Sequence, residues 1–178
     1  HLNVIEAAAS PADESWRNIN AIDDVCHAVL ETTDRITVAA LQGNAGAGGC
    51  FLAFACDLVW ARVGVLLNPH YKNMGNLYGS EYWTYTLPRR VRQGEPRAVM
   101  ENRLPVGSAQ AARLGLVDRL LDAGRDRFLA QVLVEARALV EAADFDTLIA
   151  AKRARRAADE AQRPLAAYRD EELADMRR

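Results

Sequence analysis

Four glycines fall within seven positions, 43 to 49, in the run Gly43-Asn44-Ala45-Gly46-Ala47-Gly48-Gly49-Cys50. An apolar strand, Ile36-Thr37-Val38-Ala39-Ala40-Leu41, precedes the run. A short apolar helix, Phe51-Leu52-Ala53-Phe54-Ala55, follows it and ends near Asp57. Glycine loses more backbone freedom on folding than any other residue, so the cluster points to backbone that must approach something closely. A strand-to-helix turn with glycine at the helix start leaves N–H donors without intrahelical partners, at the positive end of the helix dipole. Such a place suits negative charge on an oxygen. A turn that only lets a helix pack against a sheet could use the same residues, and both readings stand at this point. Nucleotide binding fits poorly, because no Gly-Lys-Ser/Thr follows and no acidic residue sits at the dinucleotide-binding distance.

The 178 residues suffice for one domain with a sizeable core. Their 22 basic and 24 acidic residues leave a net charge of −2, which gives no nucleic-acid footprint. The three cysteines, Cys26, Cys50 and Cys56, sit in apolar contexts and read as small buried hydrophobes of a reducing compartment. Cys50 and Cys56 have no His pair beside them, so no metal site is expected. There is no long apolar run for a membrane span and no signal peptide, and the expectation is a soluble, cytoplasmic protein. The chain starts without Met and enters at once as apolar sequence, as a piece of something longer would.

Ser10 as N-cap, Pro11 at the first position, and Asp13 and Glu14 in the first turn predict a helix that ends near Thr32–Thr33, with an apolar stripe of Ile19, Ile22, Val25, Cys26, Val29 and Leu30. Strand-like runs follow at 58–61 and 63–67. A polar loop at 68–80 leads to a helix from Ser80 that carries Tyr82, Trp83 and Tyr85 until Pro88 breaks it. A short helix covers 95–101. Another is capped by Ser108 and stopped by Gly115, and a strand covers 116–121. Everything after Arg125 reads as helical, with breaks near Asp144–Asp146 and at Pro164. The alternation implies an α/β unit with mostly parallel strands over residues 1–122, followed by a helical region, 123–178. Residues 151–178 carry eight basic and six acidic residues of mixed sign and read as an exposed helical extension.

The Gly-Gly-Cys turn, the Cys56-Asp57 that follows it, and the passage Ser108-Ala109-Gln110-Ala111-Ala112-Arg113-Leu114-Gly115-Leu116-Val117 resemble the crotonase (enoyl-CoA hydratase/isomerase) superfamily in order and spacing. The resemblance covers residues 1 to about 145. It implies a crotonase-like (ββα)n superhelix, here N-terminally truncated and with a C-terminal helical extension. It also implies an oxyanion hole that polarises the thioester carbonyl of an acyl-CoA. Gly48 falls on one of its two N–H donors; the other would come from a loop before residue 4.

The departures matter as much. Where hydratases of the superfamily carry two glutamates, this chain has Phe51 and Tyr71, so water addition by a carboxylate pair is excluded. The run from Asn68 through Tyr85 to Val91, and the end from Pro164 to Leu173, resemble the hydrogenase maturation factors that have a crotonase-like C-terminal domain. That resemblance implies cleavage of formyl-CoA to carbon monoxide and coenzyme A, with Tyr71 and Glu81 as catalytic residues. It also implies an N-terminal formyltransferase half that uses formyl-tetrahydrofolate, and hydrogenase maturation proteins as partners. Glu81 would be a base whose pKa burial raises and a helix start lowers. Tyr71 would donate or position, and Tyr78, Tyr82, Trp83 and Tyr85 would exclude water. Lys72, Arg89 and Arg90 are candidates for CoA phosphates, each equally readable as surface charge. His70 reads as a solvent-exposed loop residue, and His27 as a flank of the core face. Another acyl-CoA enzyme, or a non-catalytic docking module, remains an alternative, and the oligomeric state is not readable.

Overall fold

The computed structural model describes residues 2–71, 79–92 and 94–177. After a short helix, α1 (Leu2–Glu6), the long helix α2 (Pro11–Glu31) starts on the cap that the sequence sets out. Ser10 is extended, and its side chain accepts from the Asp13 N–H. Ile19, Asp23, Cys26 and Leu30 share the inward line of α2, whereas Val25 is turned off it and is 53% exposed.

The next elements come in turns of two strands and a helix. The first is β1 (Val38–Leu41), β2 (Ala45–Gly46) and α3 (Gly48–Phe54). The second is β3 (Leu58–Arg62) and β4 (Leu66–Asn68), with α4 (Trp83–Arg90) and α5 (Pro96–Glu101). Then follow β5 (Val106–Gly107), α6 (Ser108–Leu114) and β6 (Arg119–Leu121). Corresponding strands stack: β1, β3 and β6 form one parallel sheet. In the second sheet β2 pairs parallel with β4, and β5 joins antiparallel. This is the ββα superhelix that the family resemblance implies. The core between the layers holds Phe51, Phe54, Val59, Val65, Leu67, Leu87, Leu116 and Val117.

Four local expectations are corrected. The two-residue β2 lies inside the glycine run, where the sequence shows only a turn. α4 starts at Trp83 rather than Ser80, and Pro88 lies inside it. Proline costs the helix one bond, to the Thr84 carbonyl, and crowds that carbonyl, but the bonds from Thr86 to Tyr82 and from Val91 to Leu87 are kept on either side. Ser108 is the first residue of α6, not its cap, and its hydroxyl accepts from the Gly64 N–H at 3.1 Å.

The fourth correction concerns the tail. α7 (Arg125–Val140) covers β3 and β6 through Phe128 and Val132, which pack on Trp60 and Leu121. α8 (Phe145–Gln162) and α9 (Leu165–Met176) then return across the body. Lys152, Arg156, Leu165, Glu172 and Leu173 are buried, so residues 151–178 are not an exposed extension. The mixed charge belongs partly to buried pairs, which composition does not distinguish from solvated ones. No helix among the described residues is long and apolar enough to cross a membrane.

Candidate active site

Strand pairing brings the candidate residues together. Ala45 and Gly46 of β2 sit opposite Leu67 and Asn68 of β4, and the Ala47 N–H donates to the Asn68 carbonyl at 2.9 Å. The pairing ends there, so Gly48 starts α3 beside the chain that leaves β4 through Pro69 and His70 to Tyr71. Ala47 takes φ +45° and ψ −126°, a conformation that non-glycine residues seldom adopt. This turn re-aims the backbone from strand to helix. As the first residue of α3, Gly48 has an N–H with no acceptor inside the helix.

The Tyr71 hydroxyl donates to Glu81 Oε1. Gly48 abuts the pair closely: a Cβ on it would lie 2.7 Å from Glu81 Oε1 and 3.0 Å from the Tyr71 oxygen. Gly48, Tyr71 and Glu81, separate in sequence, are therefore one cluster. Gly79, at φ +66°, leaves room for the Tyr71 ring, which a Cβ there would meet at 2.3 Å. The Phe51 ring stacks on Tyr71 with centroids 5.9 Å apart and planes 13° from parallel. Tyr82 and Tyr85 instead join Cys26, Ala55 and Leu165 in a separate cluster between α2, α4 and α9, so they do not cover Tyr71. Phe51 does.

Glu81 is 1% exposed, and its Oε2 has no hydrogen-bond partner among the described residues. Burial lifts its carboxyl to about 7, the hydrogen bond from Tyr71 opposes the rise, and the nearby Asp23 charge adds to it. Burial, and then the Glu81 charge, push the Tyr71 phenol well above its usual range, so it stays protonated at neutral pH. Glu81 is not in the first turn of a helix as the sequence suggests. It and Tyr82 are both left-handed, at φ +55° and +57°, ahead of α4.

Two residues that sequence reasoning missed hold this turn. Asp23 of α2 accepts the Glu81 N–H on Oδ1 at 2.8 Å and the Ser80 hydroxyl on Oδ2 at 2.9 Å. Glu172 of α9 accepts the Tyr82 N–H at 2.9 Å and the Thr84 N–H at 2.7 Å, together with the Thr84 hydroxyl. A carboxylate on the inward line of α2 was the one available signal for Asp23.

The remaining candidates lie elsewhere. Arg90 was expected to hold a CoA phosphate, but its guanidinium donates to the carbonyls of Phe54, Cys56 and Asp57 and to the Asp118 carboxylate. Those donors are committed to the end of α3. Arg89 lies over the Tyr85 ring, 3.8 Å from its centroid, and pairs with Asp159 at 3.0 Å while staying about one-third exposed. Both arginines line a cavity of about 400 Å³ with Cys56, Arg155 and Arg156, and Gly48, Tyr71 and Glu81 are not among its lining residues. His70 is buried rather than solvent-exposed. His27 lies 6.0 Å from the Tyr82 ring. Lys72 and Tyr78 lie outside the described residues.

A family model described as Enoyl-CoA hydratase/isomerase matches residues 9–175. The hydrogenase maturation factor HoxX of Bradyrhizobium diazoefficiens is 56% identical over 177 residues, 99% of this chain and 31% of that protein. A crystal structure of HypX from Aquifex aeolicus in complex with tetrahydrofolic acid superposes with a TM-score of 0.92 at 52% identity, covering 99% of this chain and 31% of that one. The chain thus spans under a third of the length of these two relatives. An enoyl-CoA hydratase from Bacillus halodurans, 22% identical over 87% of this chain and 61% of its own, shares the fold at a TM-score of 0.70. The match over residues 9–175, together with the ββα stacking that sets Gly48 at the head of α3, makes this chain a member of the enoyl-CoA hydratase/isomerase family.

Proposed function

We propose that this chain is the crotonase-like C-terminal part of a HypX-type hydrogenase maturation protein, and that it splits formyl-CoA into carbon monoxide and coenzyme A. The observation that supports this most is the pairing of half-buried Tyr71 with buried Glu81 against Gly48, with Phe51 where hydratases of the family carry the first of their two glutamates. The reaction removes H⁺ from the formyl carbon and breaks the C–S bond. The carbon keeps the C–H electron pair as CO, and sulfur leaves with the C–S pair and takes up a proton. Glu81 is the base: its Oε2 is unpartnered among the described residues, and a carboxyl at about 7 is substantially ionised at neutral pH without being too weak to accept a proton. Tyr71, held protonated, orients Glu81 through its hydrogen bond, and the proton that Glu81 takes from carbon is the one the departing sulfur receives. The Gly48 N–H orients the thioester carbonyl and acidifies its C–H. Phe51 keeps water, which would hydrolyse formyl-CoA to formate, off Tyr71.

Lys72 and Arg89 are proposed contacts for CoA phosphates. Formyl-tetrahydrofolate would serve an N-terminal half of the parent protein, and hydrogenase maturation proteins would receive the CO.

The test is CO release from formyl-CoA by the parent-length protein, read as the spectral shift of reduced haemoglobin. Tyr71→Phe and Glu81→Gln are measured alongside, each expected to lose about 100-fold or more in kcat. Formate in place of CO, or CoA binding without turnover, would overturn the proposal in favour of a different acyl-CoA enzyme or a docking module.

A further inference from the structure

Two consecutive left-handed residues that are not glycine, Glu81 and Tyr82, do not persist unless their surroundings enforce them. The enforcement is visible. The N–H groups of Glu81, Tyr82 and Thr84 all end on buried carboxylates: the first on Asp23, the other two on Glu172. The Ser80 hydroxyl bridges the two acids, 2.9 Å from Asp23 Oδ2 and 3.2 Å from Glu172 Oε2. Asp23 is fully buried and Glu172 is 3% exposed. One turn before Glu172 on α9, Arg169 reaches back to α2, 3.6 Å from Asp23 and 2.7 Å from Asp24. Two carboxyl groups are thus held in the interior around a single turn of backbone, a costly arrangement for packing alone.

We infer that Asp23 and Glu172 are positioning residues that clamp the 80–84 turn and so present the Glu81 carboxylate to Tyr71 and Gly48. The inference rests on the reading of Glu81 as the base. It makes α9 part of the site rather than a support for it. The groups that face Glu81 are Tyr71 from the loop after β4 and Asp23 with Cys26 from α2. Arg169 and Glu172 of α9 act on Asp23 and on the turn.

The experiment compares the parent-length wild type with Asp23→Asn, Glu172→Gln and Thr84→Val. In Asp23→Asn the new side-chain amide can still accept the Glu81 N–H while lacking the charge. In Glu172→Gln one end of the new amide is a donor, and it faces a turn whose own groups also donate. Each variant is followed by thermal melting, by kcat and KM for CO release against pH, and by the ¹³C-carboxyl NMR titration of Glu81, which needs no turnover. The expected result is folded protein in which kcat falls by about tenfold or more in Glu172→Gln while KM moves by less than about threefold. In Asp23→Asn the Glu81 titration moves to lower pH. Should Glu172→Gln fail to fold, Thr84→Val, which removes one donor to Glu172 and leaves the backbone bonds, is expected to show a smaller kcat loss. Folded variants with unchanged kcat, pH profile and Glu81 titration would overturn the inference. If the wild type releases no CO, the reading of the reaction falls instead. The NMR titration then decides the clamp by itself: a Glu81 midpoint that moves in Glu172→Gln or Thr84→Val, neither of which removes a charge acting directly on Glu81, sustains it, and one that moves in neither overturns it.

Discussion

Gly48 has no room for a side chain, yet the atoms that crowd it are the ends of two side chains, Glu81 Oε1 and the Tyr71 hydroxyl, rather than backbone. Alanine in place of glycine inside a helix ordinarily stabilises by about 0.5–1 kcal/mol. In Gly48→Ala that gain is set against the displacement of two side-chain ends, so stability and activity should separate. The expected outcome is a melting temperature near that of the wild type with CO release reduced by about tenfold or more, a barrier increase of about 1.4 kcal/mol. Loss of folding together with activity would show that the glycine serves the turn alone. A second consequence concerns pH. Burial raises the carboxyls of Glu81 to about 7 and of Glu172 to about 8, both above the 4.5 of an unburied glutamate. From about pH 4.5 to about 8 the folded protein therefore holds more protons than the unfolded chain, and stability from these two groups is lost as pH rises through that window. Urea denaturation across it should show a decline that is shallower in Glu81→Gln. An equally steep decline in that variant would mean that other groups cause it.

At the scale of elements, Gly115 and Glu172 show what could be read in advance and what could not. Gly115 ends α6 in the left-handed conformation, at φ +87°, as a glycine after the last apolar position of a helix foretells. A Cβ there would lie 2.2 Å from the Arg90 carbonyl oxygen, which is backbone and cannot step aside. Gly115→Ala is expected to destabilise by roughly 2 kcal/mol or more, beyond the usual cost of forcing alanine into this conformation, as urea denaturation would measure. A loss of under about 0.5 kcal/mol would show that the helix end can shift. The caps of α2, the glycine turn before α3 and the breaks between α7, α8 and α9 were readable for the same reason. Each is decided by residues within a few positions of one another. The αL turn at Glu81–Tyr82 was not, because the carboxylates that hold it come from α2 and α9, 58 and 90 residues away. The sequence suggested Glu81 as a helix-start carboxylate. Gly79 announces a turn nearby, but no residue type at 81 or 82 announces that these two positions are themselves left-handed.

For the molecule as a whole, the same long-range dependence turns a tail that composition describes as solvated into a strap. The Lys152 ammonium of α8 is nearly buried and sits 2.6 Å from Asp57 Oδ2 and 2.8 Å from the Arg35 carbonyl. Asp57 Oδ2 also accepts the N–H of Thr37, at 2.7 Å, and its hydroxyl, at 2.8 Å. One carboxylate thus ties the end of α3 and the entry to β1 to a helix that follows nearly a hundred residues later. From there the chain passes through Pro164 into α9 and delivers Glu172 to the turn beside the site. Removing one member of a buried ion pair typically costs about 3–5 kcal/mol, because the other charge is stranded. Lys152→Met strands an Asp57 that keeps two donors from Thr37, so the expected loss lies at the lower end, about 3 kcal/mol. The double variant with Asp57→Asn should recover part of it, since no charge is then left unpaired. If α8 and α9 act as one strap, Lys152→Met should also speed amide hydrogen exchange at Tyr82 and Thr84, whose N–H groups end on Glu172. Faster exchange confined to α8 would show instead that α9 holds the site independently of the helix before it.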